Sequence, residues 1–98
     1  MEKKKPSCRL PAVKQLVEEG RMRMTASAIN GGAALGLGQD EIVDVVRGLS
    51  MEDFYKSMTT HADHTIWQDV YRPKTKVGDV YLKLIVIDDV LVVSFKEL

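Results

Sequence analysis

The spacing of apolar residues changes period once along this 98-residue chain, near Phe54. Ahead of that point it is helical. Leu10, Val13, Leu16 and Val17 share one side, Pro11 suits a first helical turn, and Gly20 supplies a stop. "RMRM" alternates charge and thioether and predicts a short edge strand. Thr25 or Ser27 can cap a second short helix, which the Gly31-Gly32 pair would end. A third helix over about 39–47 carries Ile42, Val45, Val46 and, just past its end, Leu49 on one side, with Asp40 and Glu41 in its first turn. "SMED" then opens one more capped turn.

From Phe54 onward the period is two. "FYKSMTT", "TIWQDVYR", "VYLKLIVI" and "VLVVSFK" are extended runs joined by short connections, hence antiparallel neighbours. The chain is expected to be α+β, with N-terminal short helices packed on one face of a C-terminal antiparallel β-sheet, as one domain over residues 1–98. A chain of this length buries ~60–65% of its unfolded surface.

The last hairpin can be registered from the pattern. A two-residue Asp88-Asp89 turn pairs Ile87 with Val90, Ile85 with Val92, Lys83 with Ser94 and Tyr81 with Lys96. The opposite face then carries Val80, Leu82, Leu84 and Val86 against Leu91, Val93 and Phe95, an almost purely apolar set. A three-residue "HAD" loop would pair Lys56 with Gln68, and a four-residue "PKTK" loop would pair Gln68 with Tyr81. Lys56, Gln68, Tyr81 and Lys96 then form one row across four strands on the open side, roughly 14 Å of backbone at about 4.8 Å per strand. A two-residue "AD" turn would instead put Lys56 and Gln68 on opposite faces. The row also sends Asp69 to the core side, an uncomfortable place for a carboxylate.

Charge sharpens this picture. Fourteen Lys and Arg balance fourteen Asp and Glu, which argues against a general nucleic-acid binder, although bases crowd residues 3–23 and acids crowd 40–53. Cys8 is the only cysteine, so no internal disulfide can form, and with two histidines it cannot supply an ordinary zinc set. The basic start has no apolar run behind it, and "LIVI" and "VLVV" are too short to cross a bilayer, so a cytoplasmic protein with no membrane partner is expected.

Two ammonium groups, a phenol and an amide suit an anionic substrate with a labile proton. RNA fits: its 2′-OH attacks the adjacent phosphate if one group removes the proton, another protonates the 5′-oxygen and a cation steadies the phosphorane. Clustered cations favour the deprotonated forms of phenol and amine, and no metal or cofactor is required. Lysines on the outer face of a sheet also serve solubility and edge protection, a role that spacing alone does not exclude.

The strings "FYKSMTT", "DHTIWQDVYRP", "VYLK" and "VSFKE", with "RLPAVKQLV" and "LGL" before them, closely resemble the motility quorum-sensing regulator (MqsR) toxin family from end to end. The resemblance implies the toxin of a type II toxin–antitoxin pair, with the RelE-like fold. It implies an mRNA endoribonuclease, independent of the ribosome and preferring GCU-like sites. Its partners would be mRNA and a zinc-binding, MqsA-like antitoxin whose helix-turn-helix part reaches operator DNA, the zinc being the antitoxin's. The family's catalytic positions fall on Lys56, Gln68, Tyr81 and Lys96, with Tyr55, Met58 and Arg72 on the same surface. Lys83 joins the substrate-binding set through the register. The chain departs from a family member in having Ser7 for a histidine and His61 for a tyrosine, so no N-terminal histidine serves as base. The expected roles are Tyr81 as base, Lys56 as acid or phosphate clamp, Lys96 on the phosphorane and Gln68 on phosphate or sugar; exchange of Tyr81 and Lys56 fits equally.

His61 and His64 bracket a turn, where exposed histidines are common. Trp67 falls on the apolar side of its strand, Met22, Met24 and Met58 suit packing or a partner, and "KKKP" is a basic tip. A rival reading is a non-catalytic antitoxin-binding, co-regulatory protein of the same fold, offering "RMRM" or the last strand for strand addition. A general RNA-binding module is less well served by the neutral charge.

Overall fold

The computed structural model describes all 98 residues, as three helices and seven strands. In chain order they are β1 (Glu2–Lys3), α1 (Leu10–Glu18), β2 (Met22–Met24), α2 (Ala26–Ala34), α3 (Gln39–Arg47), β3 (Phe54–Thr59), β4 (Trp67–Tyr71), β5 (Lys74–Thr75), β6 (Gly78–Ile87) and β7 (Asp89–Glu97). A single 3₁₀ turn, Met51–Asp53, precedes β3. The sheet runs β1-β3-β4-β6-β7-β2, with β5 folded onto the start of β6. All pairings are antiparallel except β2 with β7. The α+β architecture expected from the change of period is the one observed.

The helices begin and end where the sequence places them, with one exception. Thr25 caps α2 by accepting from the Ala28 amide at 3.1 Å. Glu41 reaches back to the Gly38 amide at 3.1 Å to close the first turn of α3, and Gly20 leaves α1 at φ 74. Gly31 and Gly32, however, do not end α2, which runs through both. A Cβ on Gly31 would stand 1.7 Å from the Phe95 carbonyl oxygen, and one on Gly32 2.6 Å from Ile42 Cδ1. The glycines are there so that α2 can lie directly on β7 and against α3.

One side of the sheet carries the core. Leu10, Val13 and Val17 of α1, Ala28 of α2, and Ile42 and Val46 of α3 pack against Val80, Leu82, Leu84, Val90, Val92 and Phe95. The other side is open.

The β6–β7 hairpin corrects the expected register at its tip. Ile87 pairs with Asp89 around Asp88, whose φ is 65, and Ile85 pairs with Leu91. Arg21 holds this tip, donating to Asp89 Oδ1 at 2.9 Å and to the Asp88 carbonyl at 3.0 Å. The strands stay one step out of the expected register until Val93, the extra residue of a β-bulge between Leu84↔Val92 and Lys83↔Ser94. Below the bulge Lys83–Ser94 and Tyr81–Lys96 pair as expected. So Val90 and Val92, rather than Leu91 and Val93, join Phe95 in the core.

A candidate active face on the open side of the sheet

Both lysines of interest owe their side of the sheet to a bulge. On β3, Phe54 pairs with Tyr71 and Lys56 with Val70, leaving Tyr55 as the extra residue. In a regular strand Phe54 and Lys56 would face the same way. With Tyr55 bulged out, Phe54 turns inward to meet the Tyr71 ring edge-on at 5.4 Å, and Lys56 turns outward. The Val93 bulge does the same for Lys96: without it, the alternation that buries Val90 and Val92 would carry Ser94 and Lys96 inward.

Lys56, Met58, Gln68, Tyr81, Lys83 and Lys96 therefore share the open face, as expected, but not as one row. The "HAD" loop is longer than three residues. Thr60 donates to the Asp63 carbonyl at 2.8 Å, Asp63 accepts from the Thr65 amide at 2.8 Å, and β4 starts only at Trp67. Gln68 consequently pairs with Met58, and Lys56 with Val70. Asp69 pairs with Leu84, which places Gln68 level with Ile85, four residues from Tyr81 along β6. That separation is about 13 Å at ~3.3 Å per residue. The four-residue "PKTK" loop fails for a similar reason, because Lys74–Thr75 folds back on Gly78–Asp79 as β5.

The rows are thus Lys56–Val70–Lys83–Ser94, with Tyr81–Lys96 beside it on one flank and Met58–Gln68 on the other. Val70 is fully buried although it lies outside the helix-side core, a floor between Lys56 and Lys83.

The cations gather on two tyrosines. Lys96 Nζ lies 5.4 Å and Lys83 Nζ 5.7 Å from the Tyr81 ring centre. Around exposed Tyr55 stand Arg72 at 4.5 Å, Lys56 at 5.3 Å and Lys4 at 5.4 Å. Each contact is a cation over an aromatic face, and together they leave a charged surface with two phenols in it. The family resemblance puts Tyr55 and Arg72 on this surface and the hairpin register puts Lys83 there, but nothing in the sequence marks Glu2. That carboxylate meets Lys56 Nζ at 2.7 Å and holds the ammonium above the usual lysine range, while Lys56 holds Glu2 below the usual carboxylate range. A two-residue strand offers no periodicity by which to find it.

Asp69 is accommodated on the core side. Its Oδ1 accepts from Ser57 Oγ at 2.7 Å and from the Ser7 amide at 2.8 Å, and its Oδ2 from the Cys8 amide at 3.0 Å. This anchors Ser7 and Cys8 on the core side of β3 and β4. Burial, and secondarily Asp69, pushes the Cys8 thiol up, away from thiolate chemistry. His61 and His64 are exposed on the loop that follows the Thr59–Trp67 pair, at the end of β3 opposite Tyr55. Trp67 is half-buried under the Lys3 ammonium, 4.1 Å from its ring, on the side opposite Lys56.

Fold and face together define a small α+β domain with a cationic, tyrosine-bearing sheet surface. The family model described as "Motility quorum-sensing regulator, toxin of MqsA" matches residues 5–97. The mRNA interferase toxin MqsR of Escherichia coli (strain K12) is 59% identical over 97 residues, covering 99% of each chain. The chain belongs to the motility quorum-sensing regulator toxin family, as its sequence strings imply.

Proposed function

We propose that this chain is an endoribonuclease toxin that cleaves single-stranded mRNA on the open face of its sheet. The observation that carries the reading is Tyr81 flanked by the Lys83 and Lys96 ammonium groups, with Lys56 one row away, in a member of this toxin family. Tyr81, reacting as its phenolate, takes the 2′-OH proton and becomes the phenol, the 2′-oxygen bonds to phosphorus, and Lys96 and Lys83 stabilise the dianionic phosphorane. Lys56 clamps the phosphate and gives its proton to the departing 5′-oxygen. The products are a 2′,3′-cyclic phosphate and a 5′-OH end, with no cofactor in the scheme.

Gln68 and Met58, on the far flank from Tyr81, hold a neighbouring nucleotide rather than the reacting phosphate. Tyr55 offers a stacking surface for a base, with Arg72 and Lys4 beside it for flanking phosphates. Family membership supports cuts at GCU-like sites without the ribosome, action in the cytoplasm, and restraint by an MqsA-like, zinc-binding antitoxin that alone touches operator DNA. No helix is long and apolar enough to cross a membrane. Replacing Tyr81 by Phe tests the scheme: single-turnover cleavage falls by roughly 10²-fold or more if the phenol oxygen moves the proton. An unchanged rate rejects it.

A further inference from the structure

Lys56 differs from the other cations of the open face. Arg72, Lys83 and Lys96 have no carboxylate within ion-pair distance, whereas Lys56 is bonded to Glu2. Nor is Glu2 a loose terminal residue. It stands opposite Met58 in β1, Lys3 stands opposite Ser57, and the Thr59 amide donates to the Met1 carbonyl at 3.0 Å. This pairing aims the Glu2 side chain at the open face. The Lys56 side chain is 17% exposed and that of Glu2 56%, so the lysine stem is packed while the ion pair itself lies at the surface of the open face.

We propose that Glu2 is a positioning residue of the RNA-cleaving site: its carboxylate holds Lys56 as an oriented ammonium, which assigns Lys56 to phosphate clamping and leaving-group protonation and leaves proton abstraction to Tyr81. The inference rests on the ribonuclease reading of this face and removes the exchange of roles that the sequence leaves open. An ammonium has three donors. Glu2 takes one, which leaves two for phosphate oxygens. The groups facing Lys56 are Glu2 from β1, Tyr55 on its own strand and Tyr81 from β6, with Lys4 and Arg72 on the same Tyr55 ring. Two neighbouring cations disfavour a third charge, and the Glu2 carboxylate offsets them. A lysine kept protonated in this way is an acid and an anion clamp, and has no lone pair with which to act as base at neutral pH.

The test uses the full chain with Glu2→Gln, which removes the charge at nearly constant size, and Glu2→Asp, which keeps it. Cleavage of a defined single-stranded RNA is followed across pH, with Lys56→Ala and Tyr81→Phe alongside and thermal melting as a check on folding. With Glu2→Gln, kcat falls roughly ten-fold or more while KM changes less, and the alkaline limb of the profile moves to lower pH. Glu2→Asp retains most of the rate. Unchanged kcat and pH profile in Glu2→Gln, with Lys56→Ala and Tyr81→Phe both impaired, overturn the proposal alone. A faster Glu2→Gln enzyme overturns it too, since the carboxylate would then only compete with RNA. If Lys56→Ala and Tyr81→Phe cleave like wild type, the site reading itself fails and takes the proposal with it.

Discussion

Tyr81 and Lys96 face each other directly across β6 and β7, with the ammonium 5.4 Å from the ring centre, and this pairing exists because Val93 is bulged out three residues upstream. The same device operates on β3, where the bulge at Tyr55 turns Lys56 out of the core side. Bulges re-aim side chains and are common beside active sites. Here two of them place both lysines on one surface. The helices behind the sheet fix it in place, since α2 seats on the backbone of Phe95, one residue before Lys96.

Gly31→Ala is therefore expected to damage folding and the active face together. Its Cβ would meet the Phe95 carbonyl oxygen at 1.7 Å, and that backbone cannot swing away like a side-chain tip. A loss of about 3 kcal/mol or more is expected, at the upper end of overpacking. Gly36→Ala, at φ 80 with nothing within 4 Å, costs only backbone strain of about 1–2 kcal/mol. Urea denaturation of the two variants separates the effects.

Asp69→Ala leaves the Ser7 and Cys8 amides without their acceptor and leaves the Ser57 hydroxyl only the Gln68 carbonyl, at 3.3 Å. At ~1–3 kcal/mol for each group left unsatisfied, reduced where water reaches the amides, the variant is expected to lose about 2–4 kcal/mol. Amide hydrogen exchange at Ser7 and Cys8 should accelerate first, because the N-terminal segment loses its anchor before the sheet opens.

Tyr71 is fully buried and its hydroxyl has no hydrogen-bond partner. Burial, with Asp69 second, pushes its phenol well above the ordinary value near 10. The sign follows from which state holds the proton. Above about pH 10 the unfolded chain releases the Tyr71 proton while the fold retains it, so its contribution is whole below pH 10 and declines as pH rises. Tyr71→Phe should be as stable as wild type at pH 7, or more stable by up to about 1 kcal/mol. It should also unfold at higher pH in an alkaline titration.

Arg72→Ala and Tyr55→Ala should weaken RNA binding more than they slow the chemical step. Arg72 stacks on an exposed ring and contacts no carboxylate, as suits a phosphate ligand. Its loss is expected to reduce the slope of log affinity against log salt by about 1, whereas Tyr55→Ala, removing a stacking surface worth about 1–3 kcal/mol per base, should leave the slope nearly unchanged. Fluorescence anisotropy with a short RNA at several salt concentrations reads both.

Much of this architecture is legible in the sequence, for physical reasons that also mark the limits. The helices announce themselves through periodicity and end signals, and Tyr81–Lys96 follows from the apolar face of β6. Val90 to Val93 are all apolar, so neither parity is excluded and the bulge at Val93 leaves no trace. The loop after β3 misleads because Thr60 and Asp63 curl it with side-chain bonds, which moves Gln68 away from Tyr81. Glycines 31 and 32 look like a helix end when read locally, and only the neighbouring strand explains them. Asp69 looks misplaced until the N-terminal segment supplies its donors.

Cleavage of a defined single-stranded RNA by the purified protein in excess chelator, with analysis of the product ends and Lys96→Ala alongside, decides whether the open face is a metal-free ribonuclease site. Wild type is expected to leave 2′,3′-cyclic phosphate and 5′-OH ends, and a Lys96→Ala protein that melts like wild type is expected to lose cleavage. Cleavage that persists in folded Lys96→Ala, or that leaves 3′-OH and 5′-phosphate ends, would contradict that reading of the face.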